Sequence, residues 1–133
     1  MSGQATREWV SEIDAAWVEM QGGVRSAVIN IGLEGLARVT EKSPVDIGTF
    51  QNNWLVSTGS PDDGTTESFG AYAGRSAGAL AAYASAMGWP VIYLQNNLPY
   101  ANALENGSSS QAPGGVLGMT IAELEMIWSG VSL

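Results

Sequence analysis

Apolar residues at Val10, Ile13, Trp17, Met20 and Val24 step by three and four, and the stripe resumes through Val28, Ile31, Gly35 and Val39. That period predicts one face of a helix. Thr6 is placed to cap it, Glu8 in its first turn suits the positive end of the helix dipole, and Glu8, Glu12 and Glu19 fall off the stripe. Gly22-Gly23 disfavours helix by about 1 kcal/mol per glycine relative to alanine, so a kink or break is expected there. Gly35, small and on the stripe, either lets another backbone come close or simply weakens the helix. Pro44 disfavours helical geometry at Ser43 and sets the helix end near Lys42. Asp46 can accept a hydrogen bond from the backbone two residues on and Gly48 can take positive φ, which together predict a tight corner. Residues 51–58 then read as a strand, with Trp54 and Val56 on one face and Asn53 and Leu55 on the other. Pro61-Asp62-Asp63-Gly64 is a turn signal, and a second strand over 65–71, anchored by Phe69, would complete a hairpin.

An alanine-rich run over 77–87 predicts a helix packed close on a sheet, with Gly88 placed to terminate it. Residues 91–95 form an apolar run of strand length, read as a central strand. Pro99 suits the first position of a short helix, Tyr100 and Leu104 lie on one face of it, and Gly107 can supply a left-handed cap. Residues 107–115 have loop composition. Leu117, Ile121, Leu124 and Trp128 mark the apolar face of a last helix, where Thr120 and Glu123 have capping-box spacing. The expected architecture is an α+β single domain over 1–133. A helical arm (1–42) precedes a small, mainly antiparallel sheet (43–133) with further helices packed on it.

Composition narrows the chemistry. The chain has 133 residues, 45% of them hydrophobic, which suffices for one core. It has no Cys and no His, removing disulfides, thiolate ligands and the usual general base. Thirteen acidic against five basic residues give a net charge of −8, and Arg75 is the only basic residue after Phe50. Such a chain lacks the clustered Lys and Arg that phosphate contacts need. No basic stretch followed by an apolar run opens the sequence, and no apolar segment is long enough for a bilayer, so a soluble protein without a classical export signal is expected. Neither a cofactor nor a metal is expected.

Asp62 and Asp63 are adjacent in a turn signal, where Asp is recruited for backbone hydrogen bonding, and that use outweighs a catalytic or metal pair. Trp54 and Tyr100 suggest a base-stacking platform, but without a basic groove they read better as core anchors. Asn96 and Asn97 suit a strand-to-helix turn better than a recognition site. Glu105, beside the buried face of the short helix, is suited to accept hydrogen bonds from backbone amides of the loop that follows, or to pair with a neighbouring subunit. The run through Ser108, Ser109, Ser110 and Gln111 is either a plain connection or a segment that orders on a partner.

Two segments carry a family resemblance. The first, Ser43-Pro44-Val45-Asp46-Ile47-Gly48-Thr49-Phe50-Gln51-Asn52-Asn53-Trp54, joins a corner to an aromatic anchor. The second is Asn96-Asn97-Leu98-Pro99-Tyr100-Ala101-Asn102-Ala103-Leu104-Glu105-Asn106-Gly107. Occurring together and in this order, they resemble the tail-completion, or head-to-tail joining, proteins of the neck of long-tailed phages. The resemblance covers about residues 35–128, and departs from the family's usual pattern at Ile47, where a Thr is usual, and at Gln51, where a basic residue is common. It implies a structural virion protein, not an enzyme. It also implies a ring, a hexamer, contacting the head-closure or connector protein on one side and a tail terminator or tail tube protein on the other. DNA would pass through without specific binding, and no membrane is involved. Glu105 and the 108–111 segment would serve assembly, while Pro44, Asp46, Gly48, Trp54, Pro99, Tyr100, Leu104 and Gly107 would shape the motifs. A tail terminator or head-closure role is the neighbouring alternative, and a cell-wall hydrolase or an intracellular binding module the alternatives outside phage assembly.

Overall fold

One 41-residue helix, α1 (Ser2–Lys42), dominates the computed structural model, in which residues 2–44, 48–106 and 115–130 are described, with side chains from Val10 onward. At 1.5 Å per residue it is about 60 Å long. It begins before Thr6, which is therefore interior and no cap, as suits the helix-compatible Gln4 and Ala5 ahead of it. It also runs unbroken through Gly22 and Gly23, against expectation. The two glycines together weaken it by about 2 kcal/mol. A break would give up i→i−4 hydrogen bonds on both sides and require a second nucleation, so continuity wins.

Past the corner, the chain forms α2 (Gly48–Asn52), β1 (Trp54–Thr58), α3 (Ala71–Tyr83), β2 (Ile92–Asn96), α4 (Ala101–Glu105) and α5 (Leu117–Trp128). β1 and β2 pair antiparallel, from Trp54↔Asn96 to Thr58↔Ile92. The fold is α+β, with a long amino-terminal helix and further helices packed on a small antiparallel sheet.

Several expected elements move. Gly48 is not among the glycines with positive φ; it opens α2, so the strand begins at Trp54 rather than at 51. The 61–64 hairpin does not form, residues 65–70 are irregular, and Phe69 is 88% exposed instead of an anchor. The edge of β1 on which that strand would pair is taken: Ser76 Oγ, from α3, accepts the Val56 amide at 2.8 Å. β1 therefore pairs with β2 alone, and β2 is one of two strands, not a central one. α3 starts at Ala71 and ends at Tyr83, earlier than the alanine run, while Gly88 takes φ +69° in the connection to β2. Pro99 and Tyr100 precede α4 rather than starting it.

The core has two sides. On one, Val39, Phe50, Trp54, Leu104 and Val116 form a buried cluster, with Leu36, Leu94, Leu98 and Leu117 packed against it. On the other, α3 buries Tyr72, Leu80 and Tyr83. Close approach of α1 occurs at Gly32, not Gly35: a Cβ at Gly32 would lie 2.8 Å from Leu80 Cδ2, whereas at Gly35 it would make ordinary contact with Leu94 at 3.4 Å. α5 is bound to α1 by the Glu123 ion pairs with Arg38 and Lys42, and by Trp128 Nε1 donating to Glu34 Oε2 at 3.2 Å.

Candidate functional site

The two motif segments are built into one structure. Phe50 from α2 and Trp54 from β1 meet edge to face, 5.5 Å between centroids at 69°, and share their cluster with Leu104 of α4. Burying an indole requires a partner for its N–H. Trp54 Nε1 finds one at 2.7 Å in Ser43 Oγ, whose own hydroxyl donates to the Val39 carbonyl at 2.6 Å. Pro44, which ends the helix, is buried beside it. Asn96 ties the second segment to the first by donating to the Phe50 carbonyl at 2.8 Å. Tyr100 lies 6.2 Å from Phe50 and stays 37% exposed, so of the two expected anchors only Trp54 is buried.

Glu105 accepts backbone amides, as expected, but at the start of α5 rather than in the loop that follows it. Its Oε1 accepts the amides of Val116 and Leu117 at 2.9 and 2.6 Å, and Oε2 accepts that of Gly118 at 2.8 Å. These are N–H groups that a helix start leaves unpaired, and a carboxylate also suits the positive dipole end. α5 thus takes its cap from another helix, and the Thr120–Glu123 capping box does not form. Thr120 sits inside α5, donating to the Val116 carbonyl at 2.8 Å, and Glu123 faces α1. Gly115 is required twice over: its φ is +85°, and a Cβ would lie 2.6 Å from the Glu105 carbonyl oxygen. The clamp brings Glu105 and Gly115 together. Gly107, Ser108, Ser109, Ser110 and Gln111 lie outside the described residues, as does Asp46.

Polar side chains also hold the 61–66 loop. Asp62 Oδ1 accepts the Gly64 amide at 2.8 Å, the expected turn role, and its other oxygen pairs with Arg75. Asn97 donates to the carbonyls of Asp62 and Gly64 at 2.7 and 3.0 Å. Asn53, fully buried, donates to Thr49 and Thr66 carbonyls and accepts the Thr66 amide at 2.9 Å. Asn96 and Asn97 are thus engaged within the chain. Among the described residues no group of three His, Cys, Asp or Glu is placed to hold a metal, and no helix is long and apolar enough to cross a membrane.

Apolar surface is left uncovered on α1 and beside the sheet. Val10, Ile13, Trp17 and Met20 on α1 are each about half exposed. Nearer the body, a cleft of about 360 Å³ opens between α1 (Val28, Ile31, Gly35), the sheet (Val56, Ile92, Leu94) and α5 (Leu117, Ile121, Leu124), with an almost wholly apolar lining. Glu123, at the α1–α5 junction, is held below the usual carboxylate range, first by its hydrogen bond from Lys42 and then by Arg38, against an opposing desolvation. Sequence reading missed the cleft, Ser76 and Asn53, whose roles depend on contacts remote along the chain. Comparison with protein-family models, curated proteins and solved structures finds no match for this chain.

Proposed function

We propose that the chain is a structural subunit of a phage neck, assembling as a ring of six that joins the tail to the head connector and lets DNA through. The observation that carries this reading is the apolar surface left uncovered along the α1 stripe and in the cleft. Such a surface fits an assembly protein, and the resemblance of the paired motifs to tail-completion proteins supports placing that assembly in the neck. The clamp at Glu105 and Gly115 supports a role for the segment between them as a contact with a neighbouring ring, because it holds both ends in place. The −8 charge suits a lumen that does not grip phosphate.

Deletion of residues 108–111 tests the loop's part in this function. The clamp residues remain, so melting should stay close to wild type while attachment of tails to heads is lost. Normal melting with a normal yield of infectious particles would reduce the segment to a connection. Duplex DNA binding by the isolated chain should be no better than non-specific, and salt-sensitive, sub-micromolar binding would contradict passive passage.

A further inference from the structure

We infer that the outer edge of β2 takes up an extended segment of a partner protein as a third, antiparallel strand, whose alternate apolar side chains enter the cleft beside it. The inference does not rest on the neck reading. In an antiparallel ladder, successive residues alternate between exchanging backbone bonds with the neighbouring strand and turning those groups away from it. The Gly59 amide donates to the Val91 carbonyl at 2.8 Å, which sets the phase: Tyr93 bonds Ser57 and Gln95 bonds Leu55, while the N–H and C=O groups of Ile92 and Leu94 turn outward. The same phase turns the Val56 amide outward on the far side of β1, where Ser76 accepts it. No such partner meets the backbone of Ile92 or Leu94 among the described residues, and β2 is half-buried at every position. The edge also lacks the usual guards against strand addition, since residues 91–95 include no charged residue and no proline.

The sheet is one strand too narrow for the helices it packs on. Packed helices lie about 8–10 Å apart and adjacent strands about 4.8 Å apart, so two strands cover α1 and leave α5 without a roof. A Cβ at Gly35 would lie 3.4 Å from Leu94 and 3.6 Å from Leu124, so the cleft is closed at its floor, yet Ile121 on its α5 wall stays 47% exposed. A residue placed opposite Ile92 or Leu94 shares their face of the sheet, so one set of partner residues both completes the backbone bonds and fills the cleft. A helix laid in the cleft would meet its apolar walls but leave the edge groups unpaired. The occupant is therefore an extended segment with apolar residues at every second position, recognised by strand addition. Charge narrows it further. The chain carries −8, and Glu125, one turn past Ile121, is in no ion pair among the described residues. A segment with basic flanks complements that surface, and a second acidic copy of this chain does not.

Amide hydrogen exchange, read by NMR on the intact chain, tests this in two stages. Alone, the chain should exchange its Ile92 and Leu94 amides at least about tenfold faster than those of Tyr93 and Gln95, which bond β1. Equal protection would show the edge already closed and overturn the inference. The probe is then a synthetic peptide alternating Val with Thr and carrying Lys at both ends. At saturation it should slow exchange at Ile92 and Leu94 by about tenfold or more. N-methylation of the valine amides removes the donors that face the edge and should abolish binding, whereas N-methylation of the threonine amides should not. Exchanging the terminal Lys for Glu should weaken binding at low salt. Binding that ignores N-methylation, or equal binding by a peptide of the same composition with its valines grouped, would mean adsorption to the cleft and overturn the inference. So would the absence of binding at millimolar peptide, equal binding of the Glu-ended peptide, or protection of Ile92 and Leu94 by self-association of the chain. Strand addition by a chain absent from phage particles would sink the neck reading alone.

Discussion

Replacing Glu105 by alanine removes the acceptor for three backbone amides at the start of α5. Hydrogen bonds to a charged group contribute about 1.5–3 kcal/mol each when taken singly. These three share one carboxylate at a partly exposed site, where water replaces part of what is lost, so the sum overstates the effect. Loss of an ordinary N-cap, about 0.5–2 kcal/mol, is the lower guide. The expected destabilisation is about 2–3 kcal/mol, intermediate between these guides. For a domain of this size each kcal/mol moves the melting temperature by about 3–5 °C, so Glu105→Ala should melt about 6–15 °C below wild type. Glu105→Gln keeps one acceptor oxygen and should lose about half as much. Thermal unfolding followed by circular dichroism reads both. If Glu105→Ala melts with wild type but fails to assemble, the carboxylate serves a partner subunit and the clamp is not what holds α5.

Other substitutions probe separate parts of the structure. Trp54→Ala should cost about 3–5 kcal/mol in chemical denaturation, as large-to-small core changes do; wild-type stability with failed assembly would make Trp54 an interface residue. Gly115→Ala should destabilise by more than about 1 kcal/mol, because it adds a Cβ at positive φ against the Glu105 carbonyl; an unchanged melting temperature would refute the close approach. Gly22→Ala and Gly23→Ala, whose added Cβ atoms meet nothing within 4 Å, should each raise helix stability by about 1 kcal/mol. Reduced helicity in these variants would show a bend that the glycines serve. For Glu123 the folded-state carboxyl is held low, so its contribution is complete above the unfolded value near pH 4.3 and is lost as pH falls through the lower, folded one. The melting difference between wild type and Glu123→Gln should therefore be constant near neutrality and shrink below about pH 4; a difference independent of pH would refute the linkage.

What was legible in the sequence was what local chemistry decides. The stripe from Val10 to Val39 marks α1, Pro44 ends it, and the line from Leu117 to Trp128 marks α5. Glu105 was readable as an acceptor for amides because a carboxylate beside a buried face must find donors. The amides it found lie at the start of α5, beyond the loop, a choice made by tertiary packing. The missed hairpin has the same origin. Residues 65–71 have strand-like composition, yet Ser76 holds the edge of β1 and Asn53 holds Thr66, contacts that no local period announces. The five-residue α2 escaped notice because Asp46 and Gly48 signal a turn, and one helical turn leaves no periodicity to read. The cleft joins α1, the sheet and α5, so its walls become neighbours only after folding.

The proposed neck role is tested most directly by cryo-EM, at a resolution that separates helices, of phage particles produced from the genome that carries this chain's gene. The map should show a ring of six copies between the head connector and the tail, each contributing a continuous α1 about 60 Å long around a lumen occupied by DNA. Particles that lack the chain, or carry it at any position other than the neck, would contradict the assignment.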